Sequence, residues 1–387
     1  MCQISAEHEK KLCVVVTCFS QGQPGFLDFS YRIRSLAARY DLIVVSQHRL
    51  TQIELSFPDV RYVVIEEAAS RLGWFRYIWR AASLIRAKSP AVAVLLHSLT
   101  APIALMIGKI PSVVYWNEHP THAAPDERGV ALHKSMLRRA VRGLLFRGAR
   151  GAELTMPIGE AHRDDLLAKG CVPERTRMIY MGVDSAFDVA GAAPQREAGP
   201  LRLIYVGSVQ HDRGRDVMLE AMAMLSHGPQ IAHLTIVGAS EEQQAYCRHY
   251  VEQAGIEDSV TILGRVPGSE VPKFFARSDV GICIWEDRPW YRFNPPTKLF
   301  EYLVAGLPVL ASDIRTHTEY IEDGANGVIF EYGSAGLAAA IQRLWALRAH
   351  LPQMKAAAQE SSHPYRWENI EPEFLAAVEG VTHGVAA

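Results

Sequence analysis

The sequence predicts an α/β protein with two doubly wound parallel-sheet domains. Strand-like apolar runs recur along the chain with helical patterns between them, and one small, polar stretch interrupts this alternation near the middle. The length of 387 residues agrees, because a chain of this size exceeds what one ordinary core holds. A hydrophobic content of 49% and a charged content of 21% are typical of a folded globular chain and exclude a disordered one.

The first half opens with LCVVVTCF at 12–19, followed by a helical pattern near 26–39. Further strand-like runs lie at 41–47, 60–66, 91–97, 111–117 and 152–159. The longest apolar stretch, 91–108, has polar residues at its centre, so it predicts a buried strand, a turn and a helix and not a membrane span. We therefore expect an amino-terminal domain at 1–188.

The stretch VAGAAPQREAGP at 189–200 predicts a linker, because its residues are small, polar or proline. The alternation then restarts, with runs at 201–208, 232–240, 259–266, 279–285, 307–313 and 327–331. These runs predict a second domain at 201–365. A last stretch, 366–387, has helical character. It is expected either to cap the second domain or to pack against the first.

The stretch NPPTKLFEYLVAGLPVLASD at 294–313 predicts a short helix of about three turns. Asn294 is expected to cap it, Pro295 to open it and Gly306 to end it. Lys298 then lies in the first turn, where the helix dipole disfavours a cation. A bound anion such as a diphosphate would make this position favourable, because the free N–H groups of a helix start also bind anions.

Thr297, Lys298 and Glu301 share one polar face of this helix with Asn294. Glu301 lies one turn further in, and its carboxylate suits hydroxyl groups such as those of a ribose. The alternative is a solvated pair between Lys298 and Glu301 with little energetic weight. This stretch alone leaves both interpretations open.

A second helix start with cations lies in LIYVGSVQHDRGRDVMLEAM, residues 203–222. A strand is predicted to end at Gly207, a loop carries Arg213, and a helix begins near Arg215. A glycine after a strand lets a ligand approach the backbone. Alone, a solvated turn explains this spacing better, but the two helix starts together indicate the two sides of one pyrophosphate site.

The order and wording of these motifs resemble those of the retaining GT-B glycosyltransferases of family 4. The matching runs are YVGSVQHDRG, HLTIVGAS, VTILGRVPGSEVPKFFARSDVGICI, KLFEYLVAGLPVLASD and EYIEDGANGVIFEYG, and with IYMGVDSAF they cover nearly all of 175–345. The resemblance implies two facing Rossmann-like domains, a nucleotide-sugar donor held mostly by the second, and an acceptor held by the first. It also implies transfer with retention and without a metal or cofactor, and the chain contains no Asp-x-Asp.

Carried over by position, the resemblance implies donor contacts for several residues. Glu301 matches the glutamate that takes the ribose hydroxyls, and Arg213 stands where the family has a phosphate-binding lysine. The backbone of Arg265 and Val266 would face the base. Gly25, in a loop of the first domain, matches a flexible glycine loop near the diphosphate.

Two positions depart from the family pattern. The first glutamate of its motif would fall at Phe293, and the arginine usual after the strand glycine is Ser208. Both changes remove donor contacts. A branch rich in bacterial polysaccharide enzymes has a similar Lys-x-x-Glu-Tyr core, so we expect Lys298 to supply the missing phosphate contact.

The resemblance also implies a polar residue near the transferred sugar, just after the run at 111–117. The candidates are Glu118 and His119, and the alternative is a helix cap and a surface imidazole. His97, at the end of a strand, is another candidate, although the sequence favours a satisfied buried histidine there. Because such a transfer must stabilise a cationic sugar and a leaving diphosphate, electrostatics should outweigh proton transfer.

The segment 128–151 is basic and amphipathic, within a first half (1–190) that carries 24 Lys and Arg against 18 Asp and Glu. It is either a surface element for anionic lipid, which a lipid-linked acceptor would favour, or a helix that packs its apolar stripe on the sheet. Neither half is basic enough to indicate nucleic acid. A charged amino terminus and six scattered cysteines predict a cytoplasmic protein, at most peripheral at the inner face of the plasma membrane.

The sequence thus predicts a metal-independent retaining glycosyltransferase that moves a sugar from a nucleotide sugar to a glycan or lipid-linked glycan in cell-surface polysaccharide biosynthesis. The resemblance further implies that 366–387 crosses back to brace the first domain. Two alternatives stay open. One is a nucleotide-sugar epimerase of the same fold, and the other is a catalytically silent scaffold, which Phe293 and Ser208 suggest.

Overall fold

The computed structural model describes residues 10–20, 25–123, 132–189 and 199–382. The chain forms two compact units, Met1–Met181 with Ile370–Ala387, and Gly182–Asn369. Within the described residues each unit is built on its own six-stranded sheet, and the strand pairs of both sheets are parallel. The predicted class, α/β with two doubly wound parallel-sheet domains, is confirmed.

The first unit places every strand on an expected run. Its strands are β1 (Leu12–Val16), β2 (Asp41–Ser46), β3 (Arg61–Val64), β4 (Val92–Leu96), β5 (Ser112–Trp116) and β6 (Leu154–Pro157). Its helices are α1 (Phe26–Arg39), α2 (Thr51–Ser56), α3 (Arg71–Lys88), α4 (Pro120–Ala123), α5 (Leu132–Gly151) and α6 (Glu160–Ala168). The strand order is β3-β2-β1-β4-β5-β6.

The second unit repeats this plan. Its strands are β7 (Leu201–Val206), β8 (Ala232–Ala239), β9 (Val260–Gly264), β10 (Val280–Cys283), β11 (Val309–Ser312) and β12 (Gly327–Phe330). Its helices are α7 (Arg215–Leu225), α8 (Glu241–Ala254), α9 (Val271–Phe275), α10 (Thr297–Val304), α11 (Arg315–Thr318), α12 (Ser334–Ala346) and α13 (Leu351–Ser361), and α14 (Trp367–Thr382) follows. The strand order is β12-β11-β10-β7-β8-β9.

Both sheets reverse their winding direction at one point, where ligands of such sheets bind beyond the carboxyl ends of the strands. In the first unit this point lies between β1 and β4, and in the second between β7 and β10. The central strands are buried on both faces, since helices cover both sides, which explains their nearly continuous apolar sequences. Function is therefore expected at two strand edges, one in each unit.

The division between the units falls between Met181 and Gly182, earlier than the expected boundary at 188. The reason is a backbone pairing, in which the N–H of Val183 donates to the Tyr365 carbonyl and the N–H of Trp367 donates to the Val183 carbonyl. Most of the expected linker, 190–198, lies outside the described residues.

The last helix, α14, groups with the first unit from Ile370 onward. Its Phe374 ring lies 4.7 Å from the guanidinium carbon of Arg32 in α1, and its Glu371 accepts a hydrogen bond from Ser35. Arg32 is fully buried and donates twice to Asp28 at 3.0 Å. These contacts tie the end of the chain to α1.

The basic segment 128–151 mostly packs as an ordinary helix of the fold. Residues 128–131 lie outside the described part, and in α5 the side chains of Leu145 and Phe146 are buried in the core of the first unit. Gly148 lies so close to the Ala101 backbone that a Cβ there would clash with its carbonyl. The apolar stripe of α5 is thus largely used by the core.

The stretch 91–108 is β4 followed by a helix, as expected, and this helix is of the 3-10 type, Ser98–Leu105. Pro102 lies inside this helix and cannot donate a backbone hydrogen bond, which disfavours regular α-helical pairing there. Among the helices of the described residues, none is both long and apolar enough to span a membrane.

Candidate functional site

The helix that carries Lys298 starts later and is shorter than expected. It spans eight residues, Thr297–Val304, and its amino-terminal cap position is Pro296, so Pro295 does not open it and Asn294 does not cap it. Pro296 is extended, and Pro295 is disfavoured from helical geometry because another proline follows it. Lys298 consequently occupies the second helical position, in the first turn as predicted.

The carboxyl end of α10 follows the predicted pattern. Gly306 has a φ of 69°, which favours glycine, and its N–H donates to the Leu303 carbonyl at 3.0 Å. The N–H of Leu307 donates to the Tyr302 carbonyl at 2.9 Å, which completes a Schellman motif. Pro308 then prevents continuation.

The Lys298 amine is buried against the end of β7. The residue is 8% exposed, its Nζ lies 3.8 Å from the centre of the Tyr205 ring, and this Nζ has no hydrogen-bond partner. A Cβ on Gly207 would meet the same Nζ at 3.2 Å, and Gly207 has a φ of 139°. The absence of a side chain at Gly207 therefore leaves room for the Lys298 amine. This amine lies at the β7–β10 switch point and has no hydrogen-bond acceptor there.

Burial changes the ionisation of the two charged residues of α10. It lowers the pKa of Lys298 to about 7; Cys283 and Glu301 partly oppose this shift, and nearby Arg213 adds to it. Burial also raises the pKa of the half-buried Glu301 to about 7, and Lys298 limits that shift. A phosphate group next to the amine would raise the lysine pKa again, because an opposite charge favours the protonated form.

Arg213 joins this site from the loop after β7. Its guanidinium carbon lies 5.8 Å from the Trp285 ring centre and 5.7 Å from that of Tyr291, and its Nε is buried without a hydrogen-bond partner. The Tyr291 hydroxyl donates to Asp212 at 2.8 Å, which fixes the ring. Gly214 follows with a φ of 79°, and a Cβ there would meet Ile284 at 2.7 Å.

Arg215, the other arginine near this helix start, points elsewhere. It opens α7 as expected, but its guanidinium donates to Asp216 at 2.7 Å and lies 3.7 Å from the centre of the Tyr246 ring. Only Arg213 of the pair therefore contributes charge beside Lys298. Ser208, at the usual arginine position, accepts a hydrogen bond from Tyr205 through its backbone carbonyl at 2.8 Å.

A buried polar layer supports the end of β10 behind Lys298. The Ser312 hydroxyl donates to the Trp285 carbonyl at 3.0 Å, and His317 Nδ1 lies 3.2 Å from the Ser312 carbonyl. His317 Nε2 lies 3.4 Å from the thiol of Cys283. Burial lowers the pKa of His317 to about 3 and raises that of Cys283 to about 12, so both groups are neutral. The layer positions Trp285 without adding charge.

Thr297, Arg265 and Val266, three further expected donor residues, also lie in the second unit. Thr297 is the first residue of α10 and is half-buried, as is Phe293 in the turn before it. Arg265 and Val266 follow β9 at the same sheet edge, but two strands away from β7. The structure thus brings Gly207, Arg213 and Lys298 together and leaves Arg265 and Val266 apart from them.

The first unit has a polar cluster at its own switch point. His97 follows β4, its Nδ1 accepts from the Leu99 N–H at 3.1 Å, and its Nε2 lies 3.5 Å from a carboxylate oxygen of Glu118. The ring packs edge-on against Phe19, at 5.2 Å between centres. Because Nδ1 accepts, Nε2 carries the proton and faces the carboxylate. Glu118 keeps 26% of its side chain exposed, whereas His97 is buried.

His119 does not join Glu118 at this edge. It is buried, its Nε2 lies 2.9 Å from Asp165 in α6, and its Nδ1 accepts from the Thr121 N–H at 3.2 Å. Burial lowers its pKa, although Asp165 opposes the shift. Of the two expected catalytic candidates, only Glu118 therefore presents a charged group to solvent.

Gly25 lies in the first unit, where it caps α1 with a φ of 80°. The preceding residues 21–24 lie outside the described part of the chain. Across the described ranges, no three or more His, Cys, Asp or Glu side chains come together in a group that could hold a metal ion.

Sequence reasoning did not identify Tyr205, Trp285, Tyr291 or Asp212, which hold the two cations in place. Position along the strands is the signal that could have found Trp285, since it follows β10 directly at the switch point. Tyr291 and Asp212 are in contact although they lie 79 residues apart in sequence, and no local pattern predicts this contact.

Comparison with known proteins agrees with this geometry. Residues 200–346 match the family model of glycosyl transferases group 1. The chain is similar to the amylovoran biosynthesis glycosyltransferase AmsK of Erwinia amylovora, with 26% identity over 191 residues, or 49% of this chain and 46% of AmsK. It is also similar to spore coat protein SA of Bacillus subtilis, with 24% identity over 174 residues, or 40% of this chain and 45% of that protein. The chain thus spans less than half the length of these curated relatives.

The whole chain shares its fold with solved glycosyltransferase-like structures. The crystal structure of Anabaena HepE in complex with UDP has a TM-score of 0.73 and 15% identity, covering 96% of this chain and 100% of HepE. HepE has also been solved in complex with UDP-glucose. At this identity the likeness shows the fold alone, whereas the family match over 200–346 falls on the unit that carries Lys298.

Proposed function

We propose that the protein is a glycosyltransferase that moves a sugar from a nucleotide-sugar donor to a glycan or lipid-linked glycan in polysaccharide biosynthesis. The match to glycosyl transferases group 1 and the similarity to AmsK, named for amylovoran biosynthesis, support this proposal. The complexes of HepE with UDP and UDP-glucose support a nucleotide-sugar donor.

The observation that carries the proposal is the buried Lys298 amine without a hydrogen-bond partner. A buried cation costs free energy unless an opposite charge or acceptor compensates it. Its Nζ lies over Gly207 and Tyr205, next to the start of α10 and at the switch point of the sheet. A diphosphate placed there would receive the amine, helix N–H groups and the nearby Arg213 charge.

The rest of the donor follows from this placement. Glu301, one turn into α10, would accept hydrogen bonds from the ribose hydroxyls. The backbone of Arg265 and Val266, at the same edge after β9, would lie near the base. Phe293 and Ser208 provide none of the polar contacts usual in the family, so Lys298 and Arg213 take the larger share of phosphate binding.

The chemistry that these groups support is the departure of a diphosphate. Lys298 and Arg213 would stabilise the negative charge that develops on the leaving group, which is the role a metal ion plays elsewhere. In the first unit, we propose the partly exposed carboxylate of Glu118, which lies 3.5 Å from His97, as the group that stabilises positive charge during transfer. We propose retention of configuration and no metal requirement.

The test is incubation of the full chain with a panel of UDP-, GDP- and dTDP-sugars in the presence of a metal chelator, with nucleotide release as the readout. We expect slow release with at least one donor, and loss of that release in Lys298→Met. Lys273→Met is the matched control, because Lys273 is an exposed lysine of the same unit paired with Glu270 at 2.7 Å.

Other outcomes point to other functions. Interconversion of the donor sugar without release of nucleotide would favour an epimerase, and absence of binding to every donor would favour a scaffold. Release that stops with the chelator and returns with Mg²⁺ would overturn metal independence alone. A product of inverted anomeric configuration, measured by NMR, would overturn retention while leaving the transferase proposal standing.

A further inference from the structure

Helix α3 has a second apolar face that the core does not use. Its inner residues, including Tyr77 and Ile78, are buried in the core of the first unit. On the opposite side, Leu72, Phe75 and Trp79 are 70%, 43% and 59% exposed. At 100° per residue these three side chains fall within about 60° of one another, so they form a single stripe. We call them the α3 stripe.

Cations surround the α3 stripe. The helix carries Arg71, Arg76, Arg80, Arg86 and Lys88 and no acidic residue. Arg71 lies on one side of the stripe on the helical wheel, and Arg76 and Arg80 lie on the other. Glu67 accepts from Arg80 at 3.0 Å, and Arg86 donates to the Met106 carbonyl at 2.7 Å. Arg71, Arg76 and Lys88 are exposed.

The chemistry of this face matches an anionic bilayer surface. Tryptophan and phenylalanine enter the boundary between headgroups and acyl chains, and arginines around them bind lipid phosphates while their stems cover apolar surface. A second copy of the same face would bring its arginines against those of the first copy, which is unfavourable. We propose that the α3 stripe and its arginines dock the protein on a membrane that contains anionic lipid.

The position of α3 relates membrane docking to acceptor binding, and this step rests on the proposed function. The Trp74 indole N–H donates to the Leu99 carbonyl at 3.2 Å, two residues after His97. The amino-terminal half of α3 therefore lies beside the carboxyl end of β4, where His97 and Glu118 meet. A bilayer against the stripe would hold a lipid-linked acceptor close to that edge.

The α3 stripe differs from the basic helix α5, for which a membrane role was expected from the sequence. In α5, Leu145 and Phe146 are buried in the core, and the exposed apolar side chains are Met136 and Leu137. In α3, the outer stripe includes an exposed tryptophan, and burial of the inner face leaves it intact. The comparison favours α3 as the membrane element.

The experiment is flotation of the full chain with vesicles of phosphatidylcholine alone and with vesicles that also contain phosphatidylglycerol. We expect binding only to the phosphatidylglycerol vesicles at low salt, and its loss at high salt, because salt screens the arginines. The double variant Phe75→Ser, Trp79→Ser should bind the phosphatidylglycerol vesicles at least about tenfold more weakly than the unmodified protein. Arg76→Glu, which reverses one charge, should bind about tenfold less.

Matched controls lie in the second unit. Met224→Ser changes a side chain that is 50% exposed, and Arg277→Glu changes an exposed arginine, and both should bind vesicles as the unmodified protein does. Circular dichroism melts of all variants check that each is folded. The α3 substitutions should leave donor binding in lipid-free solution unchanged, so failure of this proposal and failure of the proposed function are distinguishable.

Three outcomes would overturn the proposal. The first is no flotation with phosphatidylglycerol vesicles at low salt, and the second is flotation that the α3 variants do not weaken. The third is a stable dimer in sedimentation that Phe75→Ser, Trp79→Ser converts to monomer, which would assign the stripe to self-association.

Discussion

The switch points of the two sheets have the same strand topology but opposite electrostatics. In the second unit, Lys298 Nζ and Arg213 Nε are buried and have no hydrogen-bond partner. In the first unit, the Nε2 atom of His97 lies 3.5 Å from a carboxylate oxygen of Glu118. Buried cations without acceptors are unfavourable in isolation, whereas paired groups are stable alone. The difference supports the proposal of an anionic ligand in the second unit.

The largest expected effect tests whether Glu118, at the switch point of the first unit, takes part in catalysis. Glu118→Gln keeps the shape of the side chain but removes its charge, so turnover should fall about a hundredfold or more. Donor affinity should stay the same, because the donor contacts lie in the second unit. Steady-state kinetics and a donor titration separate the two.

Asp165→Asn is the comparison variant, since it alters the partner of buried His119. It should lower stability more than turnover. Equal loss of turnover in both variants, at matched folded fractions, would contradict a special role for Glu118.

The second prediction removes the unpaired charge of the second unit. Lys298→Met should weaken donor binding roughly 10- to 100-fold, because a charge-assisted contact to phosphate is lost. The same change should raise the free energy of unfolding without ligand by about 1 kcal/mol or more, since an apolar chain replaces a buried amine. Calorimetric binding and thermal melts measure both.

Opposite signs of these two effects are the signature of a residue kept for ligand binding. The exposed Lys273→Met should change neither quantity measurably. A Lys298→Met protein that binds donor as tightly as the unmodified protein, or that melts at a lower temperature, would contradict the proposed difference between the two sheet edges.

The third prediction concerns pH. Burial lowers the pKa of Lys298 to about 7 in the free protein, and a bound diphosphate should raise it. Binding then requires proton uptake by Lys298 above pH 7, so the contribution of this lysine to donor affinity should be flat below this value and fall by up to about tenfold per pH unit above it. Titrations in buffers of different ionisation enthalpy report the uptake directly.

In Lys298→Met this decline should disappear, while the pKa of Glu301, which burial raises and Lys298 lowers in the unmodified protein, should rise further because the lysine is gone. Donor affinity that does not change between pH 7 and 9 in the unmodified protein would contradict the prediction, because it would show that the amine takes up no proton when the donor binds.

The smallest expected effect addresses how Arg213 is held. Tyr291→Phe keeps the ring under the guanidinium but removes the hydrogen bond to Asp212, so donor affinity should fall only a few-fold. Trp285→Leu, which removes the other ring, should have a larger effect. A donor titration measures the affinity of both variants. A loss of donor affinity in Tyr291→Phe as large as that in Lys298→Met would indicate that the Tyr291 hydroxyl contacts the ligand directly.

Much of the fold was predictable because its signals are local. Each of the twelve strands in the described residues lies on an apolar run singled out in the sequence, since buried parallel strands need such runs. Helix ends were harder. The glycine at 306 marked the end of α10 correctly, but two prolines in succession moved its start to Thr297.

The candidate site was predictable only in part, because partners distant in sequence decide which polar groups are satisfied. The sequence pointed to Lys298 and Arg213 but treated Arg215 alike, and Asp216 turns Arg215 away. It also offered Glu118 and His119 as candidates alike, although His119 contacts Asp165 in the interior and it is His97 that lies beside Glu118.

By itself, the sequence determined the order of strands and helices, the place of glycines at the turns and the presence of a lysine in the first turn of α10. Only the tertiary structure decided which cations remain without acceptors and which apolar face of α3 remains outside. The physical reason is that periodicity records how apolar and polar residues alternate along the chain, whereas burial and pairing depend on which surfaces meet in space.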